Sequence, residues 1–538
     1  MFIVKGQGLG NCGVTVATSF PLKTLMGATS MRITAAGNVF NVLMYYVVAC
    51  NPNAPDQLAG IMPSNTPVGN GTITVTNNGR TSVQMPISIV ARRFGIYARN
   101  GNGTGPLIVQ NFNSAADQPV NTLVESAHPG QSEILWGNGL GAISGDDSVP
   151  PPGGDMNIPV DVFVGGKPAD VAYKGRTVYP SVDVIVFKVP DGVQGCYVPI
   201  SVRVAGVLSN SGTISVTPSG KACSDPFGFS SADLQKVLSG GTLTVGDIML
   251  LRISVKGTVT GIGSIQGNLD FGGGSFRRYN SAADLLTSVN RSSLGGFAFN
   301  NGMPIPSLGC AVTPFTFRDF FDDLNPGVDD DPISLQRMDA GPALNLAGPL
   351  GTRQFLKTGG LSYDGGNDGL LGGGIPGVPG LPPITPDFLA PGNYTVNGSG
   401  GAVVGGFSTS LTIPSTPPVW TNQDALTNIP RSQDLTITWS GGVAGSYVSI
   451  IGSSADPVSK AGAEFICTER ADAGTFTVPA WILSAMPASG ADPGAGGTAD
   501  GFLTLQSTVA QPARFQAPGI DVGFFNWSLW QAKNVKYQ

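Results

Sequence analysis

The chain has 538 residues, 12% of them charged, with 77 glycines, 42 prolines and a formal net charge of −6. At ~150 residues per domain it divides into about three or four domains, and a charged fraction this far below the usual ~25%, in a Val-, Thr- and Ser-rich background, reads as turns and strands. It has no basic tract and a pI near 4.9, which excludes a nucleic-acid partner, and no apolar window approaching ~18 residues, which excludes a membrane-spanning helix.

The first element is a short apolar run followed by Gly8-Leu-Gly-Asn-Cys-Gly13, the G-x-G-x-x-G spacing of a dinucleotide-binding turn. Such a turn opens a helix and is followed ~20 residues later by an acidic residue for the ribose. Here Val14-Thr-Val-Ala-Thr-Ser-Phe-Pro21 is β-prone and ends in proline, and positions 14 to 54 contain no Asp or Glu. The run also has a twin. Phe2-Ile-Val-Lys-Gly-Gln-Gly-Leu-Gly10 aligns with Glu133-Ile-Leu-Trp-Gly-Asn-Gly-Leu-Gly141 in its apolar pair, its glycines and its leucine. Further along, residues 72–82 followed by 86–90 match 199–209 followed by 213–216, so one unit occurs twice at a spacing of roughly 130 residues. Inside both copies apolar residues alternate with period two, as in Val182-Asp-Val-Ile-Val-Phe-Lys-Val189, between Gly, Asn and Pro breaks. That is the pattern of an antiparallel sandwich. The opening glycines are expected to serve a strand-to-turn transition at positive φ.

The G-x-G-L-G strand end, followed by Val164-Gly-Gly-Lys-Pro-Ala-Asp-Val171 and Val189-Pro-Asp-Gly-Val193, resembles the tandem Ig-like units of large secreted acidobacterial proteins. The resemblance fits residues 91–218 well and 1–90 more loosely, where Gly27-Ala-Thr-Ser-Met-Arg-Ile33 replaces the Val-Gly-Gly segment. It implies an exported Ig-like fold and no activity. We therefore expect one Ig-like sandwich over 1–90 and a second over 91–218. In the second copy residues 105–111 precede the G-x-G-L-G strand, whereas in the first only Met1 does. The first is thus expected to lack a leading strand and to leave an open edge.

Residues 219–356 read as β-rich with short helices. Ser231-Ala-Asp-Leu-Gln-Lys-Val-Leu238 and Ser281-Ala-Ala-Asp-Leu-Leu-Thr-Ser288 each carry a cap-like serine and helical apolar spacing. Residues 357–392, centred on Gly372-Gly-Gly-Ile-Pro-Gly-Val-Pro-Gly-Leu-Pro-Pro383, are too rich in breakers for a core element and read as an exposed loop or spacer. Residues 393–538 contain period-two runs such as Phe407-Ser-Thr-Ser-Leu-Thr-Ile413 and read as another sandwich, sharing a core with 310–356. Over about 310–538, segments such as Ala390-Pro-Gly-Asn-Tyr-Thr-Val396 and Phe465-Ile-Cys-Thr468 resemble the C-terminal part of the same acidobacterial proteins. The expected fold class is all-β: tandem Ig-like sandwiches, then a larger β-rich region with a few short helices.

Six cysteines fall as neighbours in sequence order: Cys12 with Cys50, Cys196 with Cys223, and Cys310 with Cys467. None is in a C-x-x-C spacing, so they read as three intradomain disulfides, with buried thiols as the alternative. Disulfides would put the chain outside the cytoplasm, and a bridge closing the longest loop would stabilise by roughly 4 to 5 kcal/mol in the chain-entropy model.

Residues able to carry chemistry are few. His128 is the only histidine and lies in the turn-like Ser126-Ala-His-Pro-Gly130, where it reads as a satisfied surface residue, so the usual triads and multi-histidine metal sites have no basis. The acidic loop with Asp322, Asp323, Asp329, Asp330 and Asp331 reads as solvated, with calcium through oxygen ligands as the sharper alternative. Trp420, Trp439, Trp481, Trp527 and Trp530 lie near the C-terminal end, and either pack or stack on sugar rings. The expected function is non-enzymatic and needs no cofactor. It is that of an exported structural protein of the cell surface, polymerising into a filament or surface layer by strand addition. An adhesin that binds glycan through the C-terminal aromatics or a calcium loop is the alternative.

Overall fold

The structure is a computed structural model, and it describes the chain except residues 52–54, 100–102, 104, 224–228, 260–262, 281–307, 317–335, 366–368, 377–383, 457–460, 490, 493–496, 499–500 and 509–510. The protein is all-β, with largely antiparallel sheets and a few short helices.

Period-two patterning produces the first sandwich directly. In Thr29–Ala35, Met31, Ile33 and Ala35 are buried while Arg32 and Thr34 are exposed, the alternation that a pleated strand with one buried face requires. Its sheet runs Met85–Ile89, Gly69–Asn77, Thr29–Ala35, Leu25–Met26, with Asn38–Asn41 also on Thr29–Ala35 and Arg80–Thr81 on Gly69–Asn77. The facing sheet runs Phe2–Gly6, Asp56–Ile61, Leu43–Ala49, Gly13–Val16. Between them lie Met31, Ile33, Val47, Leu58, Ile73 and Val75.

The second sandwich repeats this order, with no counterpart of Leu25–Met26 and with Gly95–Ile96 and Val109–Asn111 added beside Ser132–Asn138. One sheet runs Ser132–Asn138, Asp183–Lys188, Val171–Arg176, Gly154–Asp155; the other has Val160–Val164 between Lys167–Ala169 and Gly195–Val204, with Val207–Leu208 and Gly212–Val216 on the latter. Local details repeat as well. Val75 N donates to Ser82 Oγ at 3.1 Å, and Val202 N donates to Ser209 Oγ at 2.9 Å. Ala36 and Ala205 are both left-handed, at φ 47°.

The G-x-G-L-G run is an arch that ends a strand, held by a buried carboxylate. Leu9 N donates to Asp56 Oδ2 at 2.9 Å, and Leu140 N to Asp183 Oδ2 at 2.9 Å. Gly8 takes the expected positive φ of 68°. Gly10 is required for a different reason: a Cβ there would lie 2.4 Å from Val47 Cγ1.

Beyond the sandwiches one large sheet connects distant parts of the chain. Leu243–Val259 and Gly263–Tyr279 form a long hairpin, and Leu243–Val259 pairs in parallel with Val522–Tyr537. From there the sheet extends one way through Gly501–Thr508, Tyr447–Asp456 and Ala461–Arg470 to Gly309–Thr316, and the other way to Gly392–Gly398 and Phe407–Ile413. One core joins Ile248 and Phe276 with Leu344, Tyr394, Phe407 and Phe525. Another gathers Val312, Trp439, Ile450, Phe465 and Leu505. Helix Ser231–Leu238 begins on a capping box between Ser230 and Asp233 and packs Leu234 and Val237 beside Cys196 and Cys223; residues 281–288 lie outside the described residues.

The Gly/Pro-rich stretch is more than a loop. Ser362–Gly365 and Leu370–Gly374 pair with Gly263–Tyr279, and Phe388 and Leu389 are buried. Asp270, itself buried, accepts from Phe388 N and Leu389 N at 2.7 and 2.8 Å while paired with Arg252. Glycine permits rather than prevents this packing, since a Cβ on Gly372 would lie 2.4 Å from Pro386 O. Residues 377–383, at its centre, lie outside the described residues.

Disulfides join Cys12 to Cys50, Cys196 to Cys223 and Cys310 to Cys467. No helix among the described residues is long and apolar enough to cross a membrane.

Candidate functional site: an open sandwich edge

The two copies differ on the outer side of the G-x-G-L-G strand. In the second sandwich, Ser132–Asn138 is covered there by Gly95–Ile96 and Val109–Asn111. Trp136 N donates to Ile108 O at 3.1 Å, and Tyr97 N donates to Trp136 O at 3.0 Å. Lys5 aligns with Trp136. Because groups in a strand alternate in direction, Ile3 and Lys5 turn their N–H and C=O groups away from Asp56–Ile61. No strand lies beside Phe2–Gly6 on that side among the described residues. The strand begins against the second sandwich, where Asn138 Nδ2 donates to Met1 O at 3.3 Å and Met1 N to Ser181 Oγ.

The opposite edge of the same sheet is also open. Among the described residues Gly13–Val16 pairs only with Leu43–Ala49. Ala17 N donates to Tyr45 O at 2.8 Å, which sets the phase of the ladder, so Val14 and Val16 direct their backbone groups outward. Their side chains are 70% and 48% exposed. Ten of the twenty-three exposed large apolar side chains among the described residues lie in residues 1–90, including Ile3, Phe20, Leu25, Val39 and Val83. One-sixth of the chain thus carries ten of these twenty-three side chains, spread over both sheets of the first sandwich.

Other sequence candidates fall elsewhere. His128 Nδ1 lies 2.9 Å from Thr217 O, and its backbone N donates to Gln131 Oε1 at 2.9 Å, so it is held in place. Asp322, Asp323, Asp329, Asp330 and Asp331 lie outside the described residues. Among the described residues no cluster of three or more metal-ligating side chains forms.

The five C-terminal tryptophans make no exposed platform. Trp420 Nε1 donates to Asn422 Oδ1 at 2.9 Å, and Trp439 Nε1 to Ala471 O at 2.7 Å. Trp481 stacks on Phe163 of the second sandwich with ring centroids 4.0 Å apart. Trp530 Nε1 donates to Ser528 Oγ at 3.0 Å, and Trp527 is buried.

Sequence reasoning missed the Gly13–Val16 edge. Its signal is available in the repeat, because the second copy shortens the aligned strand to Gly154–Asp155.

No protein-family model matches the chain, and no curated protein matches it. Among solved structures it is similar to the SGBP-B protein of the Bacteroides ovatus mixed-linkage glucan utilization locus in complex with mixed-linkage heptasaccharide, at 11% identity over 90% of each chain and a TM-score of 0.12. It is also similar to domains 4–9 of surface layer protein SbsC, at 10% identity over 93% of this chain and 92% of that one, with a TM-score of 0.14. Likenesses this slight carry no argument about what the chain does.

Proposed function

We propose that this is an extracellular, non-enzymatic structural protein that assembles with copies of itself by strand addition at the first sandwich. The observation that carries the reading is the contrast between the copies: the strand position covered in the second has no strand beside it in the first among the described residues. The two open edges of that sheet, Phe2–Gly6 and Gly13–Val16, are different surfaces. An edge of one kind meeting the other kind on a neighbour is a heterologous contact, which propagates as an open filament unless its rotation closes a ring. A continuous sheet through successive copies gives a filament. The exposed valines on Gly13–Val16 supply apolar contact beside the ladder, and Lys5 is the single charge on Phe2–Gly6, short of the charge and proline that blunt protected edges. Three disulfides support a place outside the cytoplasm, where such bonds persist.

The test is negative-stain imaging with sedimentation velocity on the full chain, over a concentration series. Lys5→Pro and Val16→Pro each remove an outward N–H without taking a bond from the internal ladder. The expected result is filaments from the unaltered protein and monomers or short oligomers from either variant, with near-ultraviolet circular dichroism unchanged. A monodisperse monomer at high concentration, or variants that assemble as well as the parent, would overturn the reading.

A further inference from the structure

The three disulfides differ in their surroundings. Cys310 and Cys467 are 2% and 0% exposed, and Cys196 and Cys223 are 5% and 3% exposed, whereas Cys12 and Cys50 are both exposed. Two of the three bonds share one architecture. Cys310 lies opposite Cys467 in the ladder between Gly309–Thr316 and Ala461–Arg470. Gly13 lies opposite Ala49, so the same antiparallel register, carried one step further, sets Cys12 against Cys50, with Cα atoms 4.9 Å apart. One cross-strand bond is thus sealed inside a core, and the other lies open at the end of an edge strand. Thiol–disulfide exchange needs a thiolate to reach a sulfur, so access governs its rate.

Gly13–Val16 has few other attachments. None of its four side chains is buried, and its only ladder among the described residues is to Leu43–Ala49. A segment without buried apolar contacts opens at low free-energy cost, and the disulfide is the covalent tie beside its first residue. The arch before it has a second hold that does not pass through the sulfurs. Asp56 accepts from Leu9 N and Cys50 N at 2.9 and 2.8 Å, and the second sandwich holds the aligned arch on Asp183 with no disulfide.

We propose that Cys12–Cys50 is a thiol-exchange site, opened by small dithiols in the folded protein, and that opening it frees the edge strand Gly13–Val16 while the rest of the sandwich stays folded. One thiolate of the dithiol attacks a cysteine sulfur, the S–S bond breaks as a mixed disulfide forms, and the departing cysteine thiolate takes up a proton. The second thiolate of the reagent then attacks the reagent's own sulfur in the mixed disulfide. That step releases the other cysteine, which is protonated in turn, and closes the reagent as a cyclic disulfide. Two electrons pass from the dithiol to the cysteine pair, and the two protons its thiols give up are matched by those on Cys12 and Cys50. The site does not rest on the assembly reading, but on that reading reducing conditions take away one of the two contact edges.

Timed reduction of the full chain with dithiothreitol under native conditions, followed by alkylation with N-ethylmaleimide and peptide mass spectrometry, gives the order in which the bonds open. Cys12 and Cys50 should be alkylated at least about ten-fold faster than the other four cysteines, because a buried bond waits on the opening of its surroundings. Hydrogen exchange reads the strand. The bond from Ala17 N to Tyr45 O sets the Thr15 amide toward Leu43–Ala49. Its exchange should rise by about ten-fold or more on selective reduction, while the central strand Thr29–Ala35 keeps its protection. Cys12→Ser combined with Cys50→Ser should show the same raised exchange without reductant. A buried disulfide that opens as fast, a Cys12–Cys50 bond that resists until the protein unfolds, Thr15 exchange unmoved by selective reduction, or protection lost in Thr29–Ala35 as well would each overturn the assignment.

Discussion

The two sandwiches hold the same arch with different chemistry. In the second, buried Asp183 accepts from Leu140 N and from the Arg176 guanidinium, which also donates to Gly141 O. In the first, Asp56 accepts from Leu9 N at 2.9 Å and from Cys50 N at 2.8 Å, and Ala49 stands where the repeat puts arginine. There the Cys12–Cys50 disulfide ties the arch to the end of the same strand. A covalent bond and an ion pair thus do equivalent work at aligned positions. The repeat conserves a geometric requirement, that the strand-ending loop be fastened to its neighbour, while leaving the means open.

The largest expected effect comes from removing the aspartates. Asp183→Ala leaves Arg176, 8% exposed, as an unpaired buried charge and should cost about 3 to 5 kcal/mol. Asp56→Ala strands only backbone donors, at about 1 to 3 kcal/mol. Denaturant unfolding, read by hydrogen exchange in each sandwich separately, measures both; equal costs would break the comparison.

Next is Glu133, which aligns with Phe2. It is fully buried, neither carboxyl oxygen has a partner, and burial raises its pKa to about 9. The folded carboxyl keeps its proton until about pH 9, whereas the unfolded one loses it near pH ~4.3. The folded state therefore binds more protons over that window, and stability falls as pH rises through it. Glu133→Phe, the first copy's residue, should flatten this dependence. At ~1.36 kcal/mol per pH unit the penalty relieved at pH 7 is about 4 kcal/mol, offset by any cost of fitting the larger ring. Thermal unfolding between pH 5 and 9 reads the slope, and a slope unchanged by the substitution would remove Glu133 as its cause.

The smallest effect sharpens the comparison further. Ser209, 8% exposed, and Ser82, exposed, make the same bond to a strand amide. Ser209→Ala should cost about 1 kcal/mol, and Ser82→Ala less, because water reaches the freed amide more readily. Denaturant midpoints of the two variants should keep that order.

The all-β class and the repeated unit were legible in the sequence because alternation and turn glycines are local properties, readable without knowing what a strand will meet. The G-x-G-L-G pair is the clearest case. Its twin at Gly137-Asn-Gly-Leu-Gly141, and the absence of a following helix pattern, were enough to set aside a phosphate cradle. The Gly/Pro-rich stretch was misread for the converse reason. Composition marks where a backbone can bend, but Leu370–Gly374 becomes a strand because Gly263–Tyr279 offers it a ladder and Asp270 anchors the residues that follow.

Sequence alone determined the period of the strands, the two copies, and the positions where glycine must bend or make room, each set by the sterics of a few adjacent residues. The repeat pointed to the edge at Phe2–Gly6, and tertiary structure alone decided that Gly13–Val16 is unpaired on its outer side as well among the described residues. It placed Val109–Asn111 over one copy's strand and nothing described over the other's. Whether a backbone hydrogen-bonding group is satisfied depends on its neighbour in space, and a linear pattern does not contain that neighbour.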